Sequence, residues 1–268
     1  MKTARWISCV LLIVICGGSL LANVIAPASY AVQFRDLPDS SPSAKHWLGT
    51  DGLGRDRFSR VLYGTRVSLL LAPAAALLST LLAIAIGGVA GFLGGAWERV
   101  ALWTTDLFLS LPWIFLLIAV RAVMPLNVSP EVSIIITFSL LGILGWAPAA
   151  RVLCANARSL RNSDFVLQAR ASGLKTGRVL AVHIVPNLAP ILLAQFWISI
   201  PVFILAEANL GILGLGVNEP LPSWGSLLRE LQGYGTFVDH PCQLVALALL
   251  IIVVTCFQVV LPKEELAS

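Results

Sequence analysis

Apolar residues fall into six long runs along the chain, with the polar residues gathered between them. A helix needs about 20 mostly apolar residues to cross a bilayer core. Runs of that order extend over 6–26, 67–93, 100–123, 132–150, 186–211 and 242–260. None alternates apolar and polar positions, so they predict helices rather than barrel strands. The expected fold class is therefore an all-α membrane protein with six transmembrane helices. Pro73 and Pro112 lie in the second and third runs and predict kinks there, with freed carbonyls satisfied by neighbouring helices. The first run has a rival reading. Lys2 and Arg5 precede it and "ASYA" follows it, which is the order of a cleavable signal peptide; removal would leave five spans.

The polar segments divide the chain in two. Residues 1–66 hold the first membrane helix and an external loop with an interfacial helix, and residues 67–268 hold a core of five spans. Orientation follows from basic residues beside the spans. The connection after the fourth span carries Arg151, Arg158, Arg161, Arg170, Lys175 and Arg178 against Asp164 alone, which places it in the cytosol. Lys2, Arg5 and Lys263 then lie inside too, so both termini are cytoplasmic. The first loop must lie outside although it holds Arg35, Lys45, Arg55, Arg57, Arg60 and Arg66, partly offset by Asp36, Asp39, Asp51 and Asp56.

Inside the spans, Gly87, Gly91 and Gly95 recur every four residues. They share one helix face and predict close approach of another helix. The span charges are Asp106, Glu207 and, near an end, Arg121. An ionisable residue in a membrane is a functional candidate by default. Asp106 and Glu207 are open to two readings: local pairing near helix ends, or a place on a translocation path.

Composition narrows the class further. Hydrophobic residues make up 57% of the chain and charged residues 12%, against about 25% charged in soluble domains. The net charge of +4 is small and its basic residues are clustered rather than interleaved with aromatics, so no nucleic-acid partner is expected. Cys9, Cys16, Cys154, Cys242 and Cys256 form no CxxC pair and read as packing residues. His46, His183 and His240 are scattered over polar segments, and HExxH and GxSxG do not occur, so neither a metal site nor a catalytic site is expected. A GxxxxGK[ST] phosphate loop does not occur either. A secondary transporter and a membrane-embedded enzyme remain the alternatives. The first would bring inverted repeats and intramembrane ion sites, and neither pattern is evident.

One polar segment is too long for a simple connector. "LQARASGLKTGRVLAVHIVPN" runs from Leu167 to Asn187. Residues 161–171 favour helix, and Gly173 is a good helix stop because it tolerates a left-handed backbone. Residues 175–183 can form a second short helix, and Pro186 suits the first turn of the fifth span. The expected structure is a helix–turn–helix along the inner membrane face. Ala169, Arg170, Ala171, Ser172 and Gly173 then serve either a protein partner or anionic lipid.

This stretch resembles the cytoplasmic EAA loop of ABC importer permeases: EAA, three residues, Gly, nine residues, then I-x-L-P. Gly173, Pro186 and Ala169 fall on the Gly, Pro and second Ala. Leu167, Gln168, His183 and Val185 depart from the pattern, while His183 with Pro186 and Asn187 resembles the variant of peptide and nickel permeases. Two further stretches are similar to the C-type subunit of dipeptide, oligopeptide and nickel permeases: "HWLGTDGLGRDRFSRVLYGTRVSL" from His46 and "ILAEANLGILGLGVNEPLPSWGSLL" from Ile204. In the first, Phe58, Val61 and Leu62 form an apolar face and Asp56 with Arg60 an exposed i,i+4 pair, worth a few tenths of a kcal/mol. The chain ends soon after the sixth span, on "LPKEELAS".

The resemblance implies a subunit of an ATP-driven importer in the inner membrane, carrying peptides or a similar small solute such as a nickel chelate. It implies a heterodimer with a second permease subunit, two ATP-binding subunits holding ATP and Mg, and an external solute-binding protein. This chain itself would hold no cofactor and catalyse nothing. The segment Ala169–Gly173 with His183, Pro186 and Asn187 would be the cytoplasmic coupling helix and its return to the membrane.

Overall fold

The computed structural model describes residues 2–125, 127–232 and 241–260; Lys263, His240 and the terminal "LPKEELAS" lie outside the described residues. In chain order the helices are α1 Lys2–Leu20, α2 Ala22–Ile25, α3 Arg57–Ala83, α4 Val89–Leu93, α5 Gly95–Ser110, α6 Trp113–Val123 and α7 Pro130–Leu144. They continue as α8 Ala147–Arg161, α9 Asp164–Ala171, α10 Thr176–Val179, α11 Val185–Ile212, α12 Trp224–Arg229 and α13 Leu244–Val260. No strand occurs among the described residues.

Five helical stretches are long and apolar enough to cross a membrane: Thr3–Leu20, Arg57–Leu93, Pro130–Arg161, Thr176–Ile212 and Pro241–Val260. The expected third span is instead a broken pair. α5 and α6 meet at 82° around Leu111 and Pro112, and the count reaches six only if the pair is one span. Proline has no N–H to donate and restricts the residue before it to extended backbone. Leu111 is extended accordingly, with ψ 134°, so Pro112 ends a helix rather than bending one. Pro73 stays inside α3.

Two further expectations change. The second span begins at Arg57 as one helix, so residues 57–66 are its first turns and not a separate interfacial element. α3 runs into α4 through a π-helical turn, Ile84–Gly88, giving a 37-residue rod, about 55 Å at 1.5 Å per residue. The fifth span also begins early. α10, a π turn over Leu180–Ile184 and α11 are continuous from Thr176, so the expected second short helix is its N-terminal extension and Pro186 lies inside the rod.

The chain forms two compact units. One comprises Met1–Pro73, Arg121–Phe138 and Ile200–Ser268, the other Ala74–Val120 and Ser139–Ser199. In the first, α1 packs along α13, and the 26–56 loop is pinned by charges. Asp56 caps α3: its carboxylate accepts from the Ser59 N–H at 2.8 Å and its hydroxyl at 2.7 Å, and from His46 Nδ1 at 2.8 Å. Arg60, fully buried, reaches Asp51, Glu219 and Glu230 at 3.0–3.5 Å. The expected exposed Asp56–Arg60 pair is thereby replaced. Both residues are buried, and each takes partners that only the folded loop supplies.

The second unit has an apolar core of Phe92, Trp146, Leu153, Val166, Ala169, Val179, Ile184 and Leu188 with small residues of α8. Gly87 and Gly91 sit directly on α8: a Cβ on either would collide with the carbonyl of Ala150 or Cys154. Small residues on both sides let the backbones touch and gain dispersion contacts that a lipid tail cannot offer. Gly95 does not continue this stripe. It follows the break at Gly94, has φ 61°, and meets nothing within 4 Å. The four-residue spacing is interrupted because Gly94, at φ 73°, ends the helix first.

Candidate functional site

The long polar connection is built from α8, α9, α10 and the turns between them. α9 ends in a two-bond cap. The Gly173 N–H donates to the Arg170 carbonyl at 3.0 Å and the Leu174 N–H to the Ala169 carbonyl at 3.2 Å. This pairing needs a left-handed residue at the corner, and Gly173 supplies it at φ 81°. Leu174 then turns back onto the core of its unit.

That geometry sorts the segment into anchors and a free tip. Val166, Ala169 and Val179 are buried in the core. The Arg170 guanidinium lies 5.1 Å from the centroid of the Phe92 ring, a cation–π distance. Ala171, Ser172, Gly173, Lys175, Thr176, Gly177 and Arg178 are exposed, and a Cβ at Gly173 or Gly177 would meet nothing. Of the residues singled out by the sequence, Ala171, Ser172 and Gly173 thus form one exposed knuckle. Ala169 lies beneath it and Arg170 beside it. His183 and Asn187 stand in the π turn and the rod beyond: Asn187 Nδ2 donates to the His183 carbonyl at 2.6 Å, and the His183 ring is 6.3 Å from Phe165. Val185 donates to Leu180 across the π turn. The wider turn lies immediately before Pro186, whose missing N–H interrupts the α ladder.

The span charges sit in different places. Asp106 on α5 pairs with Arg151 on α8 at 2.7 Å, both side chains about half exposed. Glu207 is fully buried; Oε2 accepts from Ser68 at 3.3 Å, and Gly225 packs against Oε1. Arg121 is fully buried and donates to the Pro125 and Gly216 carbonyls and to Ser133 at 3.2–3.5 Å. Glu207 and Arg121 therefore lie buried beside the 213–225 loop, while Asp106 lies at a surface.

Three features escaped the sequence reading. Glu98 joins α5 to α8 through Arg158 at 3.0 Å and Arg161 at 3.3 Å. Trp224 is wholly buried, its Nε1 donating to Thr65 at 3.0 Å and its N–H accepted by Ser68 at 3.2 Å. Arg55, Gly214, Gly216, Glu219, Ser226, Arg229 and neighbours line a cleft of about 360 Å³. A Ser-Trp start of a capped helix was the only local signal for Trp224; the other two rest on residues far apart in the chain. Burial pushes the Glu230 carboxyl up in this region, against the opposing pull of Arg60.

Five helices, or six with the broken pair, long and apolar enough to cross a membrane mark a multi-pass membrane protein. Residues 83–262 match the family described as binding-protein-dependent transport system inner membrane component, and the chain belongs to that family. It is similar to the oligopeptide transport system permease protein OppC of Bacillus subtilis (strain 168), with 36% identity over 72% of this chain and 61% of that protein. The dipeptide transport system permease protein DppC of the same organism is 32% identical over 79% of this chain and 64% of its own length. OppC of Mycobacterium tuberculosis (strain CDC 1551 / Oshkosh) is 35% identical over 70% of this chain and 64% of its own. The chain thus spans somewhat under two thirds of the length of these relatives.

Proposed function

We propose that this chain is the membrane-spanning subunit of an ATP-driven importer for peptides, forming half of the path and coupling it to separate ATPase subunits. The observation that carries this reading is the knuckle Ala171–Gly173: exposed at its tip, yet fixed to the helical core through Ala169, Leu174 and Val179. A force on the tip would reach the spans directly, since α8 and the Thr176–Ile212 rod flank it. The relatives named for oligopeptides and dipeptides support peptide over a nickel chelate. In this reading ATP and Mg belong to two partner ATPase subunits, a second permease subunit completes the path, and an external solute-binding protein delivers solute. The knuckle and both termini face the cytosol, as the basic cluster requires.

The test is a single cysteine at Ser172, in a variant lacking the native cysteines, crosslinked to a co-expressed ATPase with and without nucleotide. The expected result is a crosslink whose yield changes with ATP. A folded, membrane-inserted variant that crosslinks to no ATPase overturns the coupling assignment. The knuckle would then rest on lipid.

A further inference from the structure

Three helix ends meet at one arginine. α8 carries Arg158 and Arg161 in its last turn. Arg161 Nη1 donates to the Gly91 carbonyl at 3.4 Å and to Glu98 Oε2 at 3.3 Å. Gly91 lies in the last turn of α4, where carbonyls lack a partner within the helix and cations are favoured. Glu98 lies in the first turn of α5, where a carboxylate is favoured. Between those two helices Gly94 and Gly95 both take left-handed backbone, φ 73° and 61°. They form an elbow from α4 into α5. A Cβ on Gly94 would collide with the Arg161 guanidinium, so the arginine lies directly on this elbow.

The same point is the root of the knuckle. α9 starts at Asp164, three residues after Arg161, and returns to α4 through Arg170 beside the Phe92 ring. α4, α5, α8 and α9 all belong to one compact unit, but they are held in different ways. α9 shares an apolar core with α4 and α8. Among the described residues, that core takes no buried member from α5, which lends only the partly buried Phe108. Apolar contact is non-directional, whereas a charge-assisted hydrogen bond fixes donor against acceptor. The Asp106–Arg151 pair also links α5 to α8, but both side chains are about half exposed, and exposed pairs hold little. Glu98 is better placed. Its side chain is mostly buried, one oxygen takes Arg161, and the other takes the half-exposed Arg158 at 3.0 Å.

We infer that Glu98 is a positioning residue that makes α5 travel with the knuckle. It clamps Arg161 across the Gly94–Gly95 elbow, so a displacement of α9 carries α5 as well as α8. Without the carboxylate, the knuckle would move against an α5 that stays behind. This rests on the coupling role of the knuckle.

The test is the distance between two spin labels in the complete transporter, measured by pulsed electron–electron double resonance with and without ATP. The labels sit on Gln168→Cys in α9 and Trp103→Cys in α5, both exposed positions, with the native cysteines replaced. With Glu98 intact, one distance is expected, the same in both conditions. In Glu98→Gln, ATP is expected to shift the distance by more than the width of that distribution. Glu98→Asp keeps the charge and is expected to behave as the parent does. A parent distance that itself shifts with ATP overturns the inference. So does a Glu98→Gln distance that stays put, or one broadened equally with and without ATP, which marks mere loosening. The Ser172 crosslink separates the two readings. A crosslink that ignores nucleotide sinks the coupling role and the clamp with it. A nucleotide-dependent crosslink with an unmoved Glu98→Gln distance sinks the clamp alone.

Discussion

Gly87, Gly91 and Gly95 look equivalent in the chain and are not equivalent in the fold. Gly87 and Gly91 touch the α8 backbone, so a side chain there must push two helices apart. Gly91→Val is expected to lower the melting temperature in detergent, with a cost of at least about 1–3 kcal/mol typical of overpacking. Gly95→Ala has space but a φ of 61°, so about 1–2 kcal/mol of backbone strain is its only cost; the order of the two melting temperatures checks this. Glu230 allows a prediction with a definite sign. Its folded pKa is raised by burial, and a group so raised contributes most below its unfolded pKa and loses that contribution as pH rises through the folded one. Glu230→Gln should therefore compare better with the parent in alkaline than in acidic buffer, as thermal unfolding across pH would register. These differences depend on what each side chain meets, and spacing alone could not separate Gly95 from its two neighbours.

At the level of elements, the knuckle was readable because its chemistry is local. The helix ends at Gly173 through bonds from Gly173 to Arg170, three positions earlier, and from Leu174 to Ala169, five positions earlier, and a glycine after a helical run carries that signal in the sequence itself. Gly173→Asn, which tolerates the left-handed backbone, is expected to keep more ATP-dependent uptake than Gly173→Val, whose β-branch is strained there by about 1–2 kcal/mol or more. Gly173→Pro should abolish uptake while membrane insertion persists. Uptake and membrane abundance measured together on the three variants would show whether the corner matters as proposed. The rods were less legible. Where a polar stretch such as residues 57–66 continues an apolar run, hydropathy marks the apolar part only, and helix continuity is decided by the Asp56 cap and by burial of Arg60.

For the whole molecule, the proposed energy source separates the importer from a secondary transporter. Uptake by the complete system should persist when the membrane potential is collapsed with ATP intact, and stop when ATP is removed; measured solute uptake under both conditions checks it. By itself the sequence determined the membrane class, the helical content, the glycine corner and the basic polarity of the long connection. Each follows from hydropathy, local backbone preference or net charge, properties that residues carry without their distant neighbours. Tertiary structure alone decided that Pro112 sits at an 82° break, that Arg60 is buried against the carboxylates of Glu219 and Glu230, 159 and 170 residues away, and that Asp106 faces Arg151 on a shared exposed surface. Those outcomes depend on which helices pack together, and packing joins residues whose separation along the chain leaves no periodic trace.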